Sequence, residues 1–258
     1  MPSVANPVWL ASVWSGCEPC GVADDEHHAL LAEQVGYYRA RAAEYDRWFF
    51  RQGRYDRGEE TTRAWFAELD QVRHALSDVA LDGADVLELA PGTGLWTELL
   101  CRRAAHVTAV DASAEMIDQN RRRLDHLTSK VHFEQADLFD WQPGAPFDAV
   151  VFCFWISHIP DRRLDAFLSM VASALRPGGS IFFVDSRRET NSTASDHTLP
   201  QPGEETMIRH LDDGRSFRII KNFWTAETLK ARCALAGLDV VVTETPTYFQ
   251  YGSGRRRV

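Results

Sequence analysis

Val86-Leu-Glu-Leu-Ala-Pro-Gly-Thr-Gly94 is the stretch that decides the fold. Asp85 to Leu89 read as a buried strand, and the glycines that follow make a tight turn into a helix starting near Leu95. Without a Cβ, Gly92 and Gly94 take positive φ and let a ligand touch the backbone. Unpaired N–H groups of the helix N-terminus lie next to them. Open α/β sheets bind nucleotides in this way, beyond the carboxyl ends of their strands. The next acid in place is Asp111, which ends the apolar run His106-Val-Thr-Ala-Val-Asp111. An acid about 20 residues past the glycines accepts hydrogen bonds from ribose hydroxyls.

Gly-x-Gly alone also fits an ordinary β–α turn. The dinucleotide fingerprint wants a third glycine where Thr97 stands, which counts against an NAD-linked oxidoreductase. No Gly-Lys-Ser/Thr follows, so a P-loop is excluded. What remains is Glu88 inside the first strand, a two-glycine turn and Asp111, a site suited to a ribose with no pyrophosphate attached. This pattern resembles the first motif of the class I S-adenosylmethionine-dependent methyltransferases.

Around this centre the chain alternates. Strand 84–89 leads to helix 95–104, strand 106–110 to helix 113–127, and strand 131–135 to strand 147–153. Helix 161–175 precedes strand 180–185. The rhythm predicts a parallel sheet with helices on both faces. Helix 225–236, strand 238–244 and a strand near 247–251 close the chain. The resemblance covers residues 37–251 and implies an α/β, Rossmann-like, seven-stranded, mostly parallel sheet whose last strand is antiparallel. Two helices ahead of the first strand, from Asp24 to Asp46 and from Thr61 to Val79, predict an N-terminal helical cap. The expected organisation is a poorly ordered leader over 1–24, a cap over 25–80 and a cofactor-binding domain over 81–258 with an insertion at 186–224. In the insertion, 186–204 reads as a mobile loop. Thr206–Leu211 and Arg215–Lys221, joined by Asp-Asp-Gly, read as a hairpin serving as a lid or a dimer contact.

The resemblance also assigns roles. Glu88 and Gly92 hold the methionine end of S-adenosylmethionine, Asp111 the ribose, and Ala90 and Gly94 belong to the same cofactor-binding set. Asp137 accepts from the adenine amino group, with Leu138 and Met116 on the two ring faces. Tyr38 and Phe154 complete the cofactor set. Tyr45, Trp48, Trp155, Arg209 and Arg218 are candidates for the acceptor pocket. Trp155-Ile-Ser-His158-Ile-Pro-Asp161 follows the fourth strand, where the family's methyl group lies. His158 is the candidate base and Asp185, ending the next strand, its partner. Histidine's reference pKa of about 6.5 suits that task. The expected reaction is methyl transfer to a hydroxyl or carboxyl oxygen of a small molecule. N- or C-methylation and a non-catalytic binder are alternatives, because fold does not fix function.

Composition agrees with an ordinary globular protein: 258 residues, 45% hydrophobic and 25% charged. The formal net charge of −9 argues against a nucleic-acid partner, which needs clustered positive charge. The Arg255-Arg-Arg257 tail reads as a solvated terminus. The longest apolar runs fall far short of a membrane span, and the start lacks a basic n-region. Five cysteines suggest no disulfide framework, so a reducing cytoplasm is expected. Cys17-Glu-Pro-Cys20, with His27 and His28 after it, lacks a second CxxC and metal-ligand histidine spacing, so no metal is expected.

Overall fold

The structure, a computed structural model, describes residues 20–258. Most of the expected leader, with Cys17, lies outside the described residues. The described residues open with three α-helices: α1 (Cys20–Arg41), α2 (Tyr45–Phe49) and α3 (Glu59–Ser77). A parallel series follows: β1 (Asp85–Leu89), α4 (Thr97–Cys101), β2 (His106–Asp111), α5 (Ala114–Leu124), β3 (Val131–Gln135), β4 (Phe147–Cys153), α6 (Asp161–Ala174) and β5 (Leu175–Ser186). The hairpin β6 (Thr206–His210) and β7 (Ser216–Ile220) comes next, then α7 (Ala226–Leu235), β8 (Leu238–Glu244) and β9 (Phe249–Arg256). Seven strands form one sheet in the order β3-β2-β1-β4-β5-β9-β8. β9 runs antiparallel to both its neighbours and the other pairings are parallel, as the resemblance implies.

Strand periodicity explains why both faces are covered. On β1, β4 and β5, Val86, Val151 and Phe182 face one core, while Leu87, Val150 and Ile181 face the other. Strands buried on both faces read as continuous apolar runs. The first core takes the stripe Trp65, Leu69, Val72 and Leu76 of α3, spaced as one helix face. The second takes Leu164, Leu168 and Val171 of α6 with Leu229 of α7. A third cluster joins Tyr37 of α1 to Met207 and Ile219 of the hairpin, so cap and insertion pack on each other.

Several boundaries differ from the sequence reading. The helix after the glycines is short, Thr97–Cys101, and offers no long run of free N–H groups. Gly92 N–H goes to Asp111 Oδ2 at 3.2 Å, and Gly94 N–H to the Pro91 carbonyl. The expected continuous helix to Asp46 breaks between α1 and α2. β9 extends to Arg256, so the arginine tail is not free: Arg255 pairs with Ser180, and Arg256 donates to the Leu175 carbonyl. Loop 186–204 is tied to the cap. The Ser192 carbonyl accepts from Trp48 Nε1 at 2.8 Å, and Ser195 N–H reaches the Arg54 carbonyl at 2.9 Å. No helix among the described residues is long and apolar enough to cross a membrane.

Candidate active site

The strand order reverses between β1 and β4: the chain builds β2 and β3 on one side, then crosses to the other. A crevice opens outside the carboxyl ends at such a switch point. Here a cleft of about 720 Å³ is lined from below by Ala90, Asp111, Ser113, Cys153 and Phe154. Leu31, Gln34, Val35 and Tyr38 of α1 close it from above. Ala90 (φ 52°) and Phe154 (φ 58°) end the two strands in the left-handed region. Such non-glycine strain costs about 1–3 kcal/mol each and clusters at functional sites.

Asp111 sits where β2 ends. Its Oδ1 accepts the Ser113 N–H at 2.9 Å and its Oδ2 the Gly92 N–H, which fixes the carboxylate at the cleft wall. Burial pushes its pKa up to about 6. Met116 and Leu138 supply apolar walls, and Asp137 stands at the mouth. These groups suit a nucleoside: an acceptor pair for ribose hydroxyls, two apolar surfaces for a ring, and an acid at the rim. Glu88, Gly92 and Gly94 are not among the residues that line the cleft. Glu88 is buried under the loop, bonded to Thr97, with one carboxyl oxygen unpartnered. Burial pushes its pKa up to about 8. Packing also demands a glycine at Gly94 (φ 89°), because a Cβ there would lie 2.6 Å from Asn120 Cγ. Asp46 anchors the cap to this loop through Thr93 Oγ1 at 2.6 Å and through Arg123.

A second chamber of about 440 Å³ adjoins the first and shares Tyr38, Tyr45, Phe154 and His158 with it. Trp48 and Arg209 line it as well, and so do Arg41, Lys221, Ser186 and Thr193, which sequence reasoning missed. Trp155 lines only the first cleft. Arg218 does not reach either: it is exposed and pairs with Glu33 at 2.9 Å. Register explains the difference. Arg209 pairs across the hairpin with Phe217, whereas Arg218 pairs with Ile208, on the opposite, solvent face.

His158 and Asp185, expected as partners, are not bonded to each other. Asp185 accepts from Ser157 N–H at 2.9 Å and from Lys221 Nζ at 3.3 Å. His158 Nδ1 lies 2.7 Å from the Ile220 carbonyl, and its Nε2 2.8 Å from the Tyr38 hydroxyl. A carbonyl only accepts, so Nδ1 carries the proton and Tyr38 O–H donates to Nε2. Burial, then the charges of Lys221, Arg209 and Arg41, holds the His158 pKa well below 6.5. Gln34 braces this arrangement, donating to the His158 carbonyl and accepting from Ile220 N–H.

Fold and cleft together define a nucleoside-binding transferase of the class I type. Residues 86–179 match the family model of a methyltransferase domain. The ubiquinone biosynthesis O-methyltransferase of Xylella fastidiosa (strain 9a5c) is 34% identical over 207 residues, covering 74% of this chain and 80% of that protein. A solved DhpI–SAH complex superposes with a TM-score of 0.72 at 38% identity, covering 89% of this chain and 98% of that one. A DhpI–SAM–HEP complex gives 0.72 at 40%, covering 88% and 98%. The chain belongs to the S-adenosylmethionine-dependent methyltransferases. It is a small-molecule methyltransferase, and S-adenosylmethionine is its cofactor.

Proposed function

We propose that the enzyme methylates an oxygen of a small anionic acceptor held in the second chamber. One observation carries this reading. Arg41 and Arg209 are 4% and 7% exposed, and neither has a carboxylate partner among the described residues. Arg41 donates to the Tyr55 hydroxyl and lies over the Tyr45 ring, Arg209 donates to Thr193, and the Nε of each is unpartnered. A buried charge without a counter-charge is costly, so the chamber is built for an anion that supplies one. Lys221 adds a third cation, already paired with Asp185. The similar DhpI forms a complex with SAM and HEP together, which supports a two-ligand arrangement.

S-adenosylmethionine supplies an electrophilic methyl group on a sulfonium sulfur. The protein's share is to hold and align the acceptor. Asp111, Met116, Asp137 and Leu138 would hold the nucleoside. Arg41 and Arg209 bind and orient the acceptor, while the aromatic walls Tyr45, Trp48 and Phe154 exclude water. The same cations that depress the His158 pKa keep a bound acid ionised, so its oxygen is nucleophilic without a base. His158 then serves as a positioning residue that points the Tyr38 hydroxyl. A hydroxyl acceptor is the second reading, favoured by the Tyr38–His158 hydrogen bond: Tyr38 passes the acceptor's proton to His158 Nε2, and the Ile220 carbonyl holds the ring through Nδ1–H.

The test is methyl transfer from labelled S-adenosylmethionine to matched panels of carboxylic and phosphoryl acids, phenols and amines. Methyl esters of a carboxylic or phosphoryl acid, lost in Arg209→Met, are expected. Ether or N-methyl products at wild-type rates in Arg209→Met would overturn the reading.

A further inference from the structure

We infer that Thr193 donates a hydrogen bond to the bound oxyanion, a role that His197 behind it imposes; this rests on the oxyanion reading above. The His197 side chain is fully buried. His210 N–H donates to its Nε2 at 3.0 Å. A backbone amide only donates, so Nε2 holds the lone pair and the neutral ring carries its hydrogen on Nδ1. Burial, with Arg209 beside it, keeps the ring neutral.

Nδ1 faces two groups: Thr193 Oγ1 at 3.1 Å and Arg209 Nη1 at 3.2 Å. A guanidinium has no acceptor, so the Nδ1 hydrogen goes to Thr193 Oγ1. Arg209 Nη1 donates to the same oxygen at 3.0 Å. A hydroxyl has two lone pairs and one hydrogen. Both lone pairs are therefore taken, and only the hydrogen is left. Thr193 is 3% exposed and lines the second chamber, and no described group accepts that hydrogen. Leaving it unmade in a buried site is costly. The chamber thus presents a neutral O–H donor next to the Arg209 guanidinium. That pair fits two oxygens of one oxyanion and rejects an amine or any donor at the same point, which makes Thr193 a specificity-determining residue.

The experiment is calorimetric titration of the full chain, loaded with S-adenosylhomocysteine, with inorganic phosphate. Thr193→Val should weaken phosphate about tenfold or more, since a hydrogen bond to a charged group is lost. Thr193→Ser, which keeps the hydroxyl, should bind within about threefold of wild type. S-adenosylhomocysteine affinity serves as the control for folding. Because Thr193→Val also frees Arg209, it is repeated in an Arg209→Met background. A donor to the anion still costs affinity there, whereas a mere support for Arg209 costs nothing more. Equal phosphate binding by wild type and Thr193→Val, equal loss in Val and Ser, or no further loss in the double variant each overturns the inference. No phosphate binding by the wild type sinks the oxyanion reading and this inference with it.

Discussion

Replacing Glu88 by Gln should flatten the pH dependence of stability. Glu88 is 1% exposed, and burial raises its pKa from an ordinary 4.5 to about 8 in the folded chain. Between those values the native state holds a proton that the unfolded state has lost. Stability is then full below about pH 4.5 and falls as the pH rises towards 8, by ~1.36 kcal/mol per pH unit for one proton. From about pH 5.5 to 7.5 the loss comes to roughly 2.5 kcal/mol, a sizeable share of a typical domain's stability. Asp111, raised to about 6, adds a smaller fall that wild type and variant share. Glutamine keeps an acceptor for the Thr97 hydroxyl and never ionises, so Glu88→Gln should lose the larger part of the slope. Equilibrium urea unfolding of ligand-free protein at several pH values measures this directly. Parallel profiles for wild type and variant would refute the reasoning, because Glu88 would then be ionised in the fold or deprotonated at no cost.

Asp111→Ala should weaken S-adenosylhomocysteine by about a hundredfold or more, since two hydrogen bonds to a carboxylate, each about 1.5–3 kcal/mol, are lost; calorimetric titration reads it, and a change within threefold would remove Asp111 from the site. Gly94→Ala should destabilise by about 2–3 kcal/mol, from overlap with Asn120 and from φ of 89°. Adding Asn120→Ala should return the overlap part and leave the backbone strain, which urea midpoints separate.

Much of the site is legible along the chain because it is local. Asp111 ends a strand, Met116 follows one turn into the next helix, and Asp137 and Leu138 follow β3, so each is fixed by its distance from a strand end. The cofactor cleft therefore gathers residues that the motif order already places. Thr97 and Gly94 are equally plain in sequence, yet both pack against neighbours out of sequence range: Gly94 against Asn120, and Thr97 between Asn120 and Glu88.

The acceptor chamber is different. Arg41 comes from the end of α1, Thr193 from a polar loop, Arg209 and Lys221 from the insertion, and His158 from the turn after β4. No spacing connects them. The pairing of His158 with Asp185 fails for the same reason: neighbouring strand ends bring the residues close, but Lys221 takes the carboxylate and the Ile220 carbonyl takes the ring. The sequence by itself determined a parallel sheet covered by helices, because that follows from short-range periodicity, and the motifs at its strand ends carried the resemblance that implied the antiparallel last strand and the cofactor. The tertiary structure alone decided where the buried cations meet and which partner each polar group takes, because hydrogen bonds and charges are settled by distance in space across segments far apart in the chain.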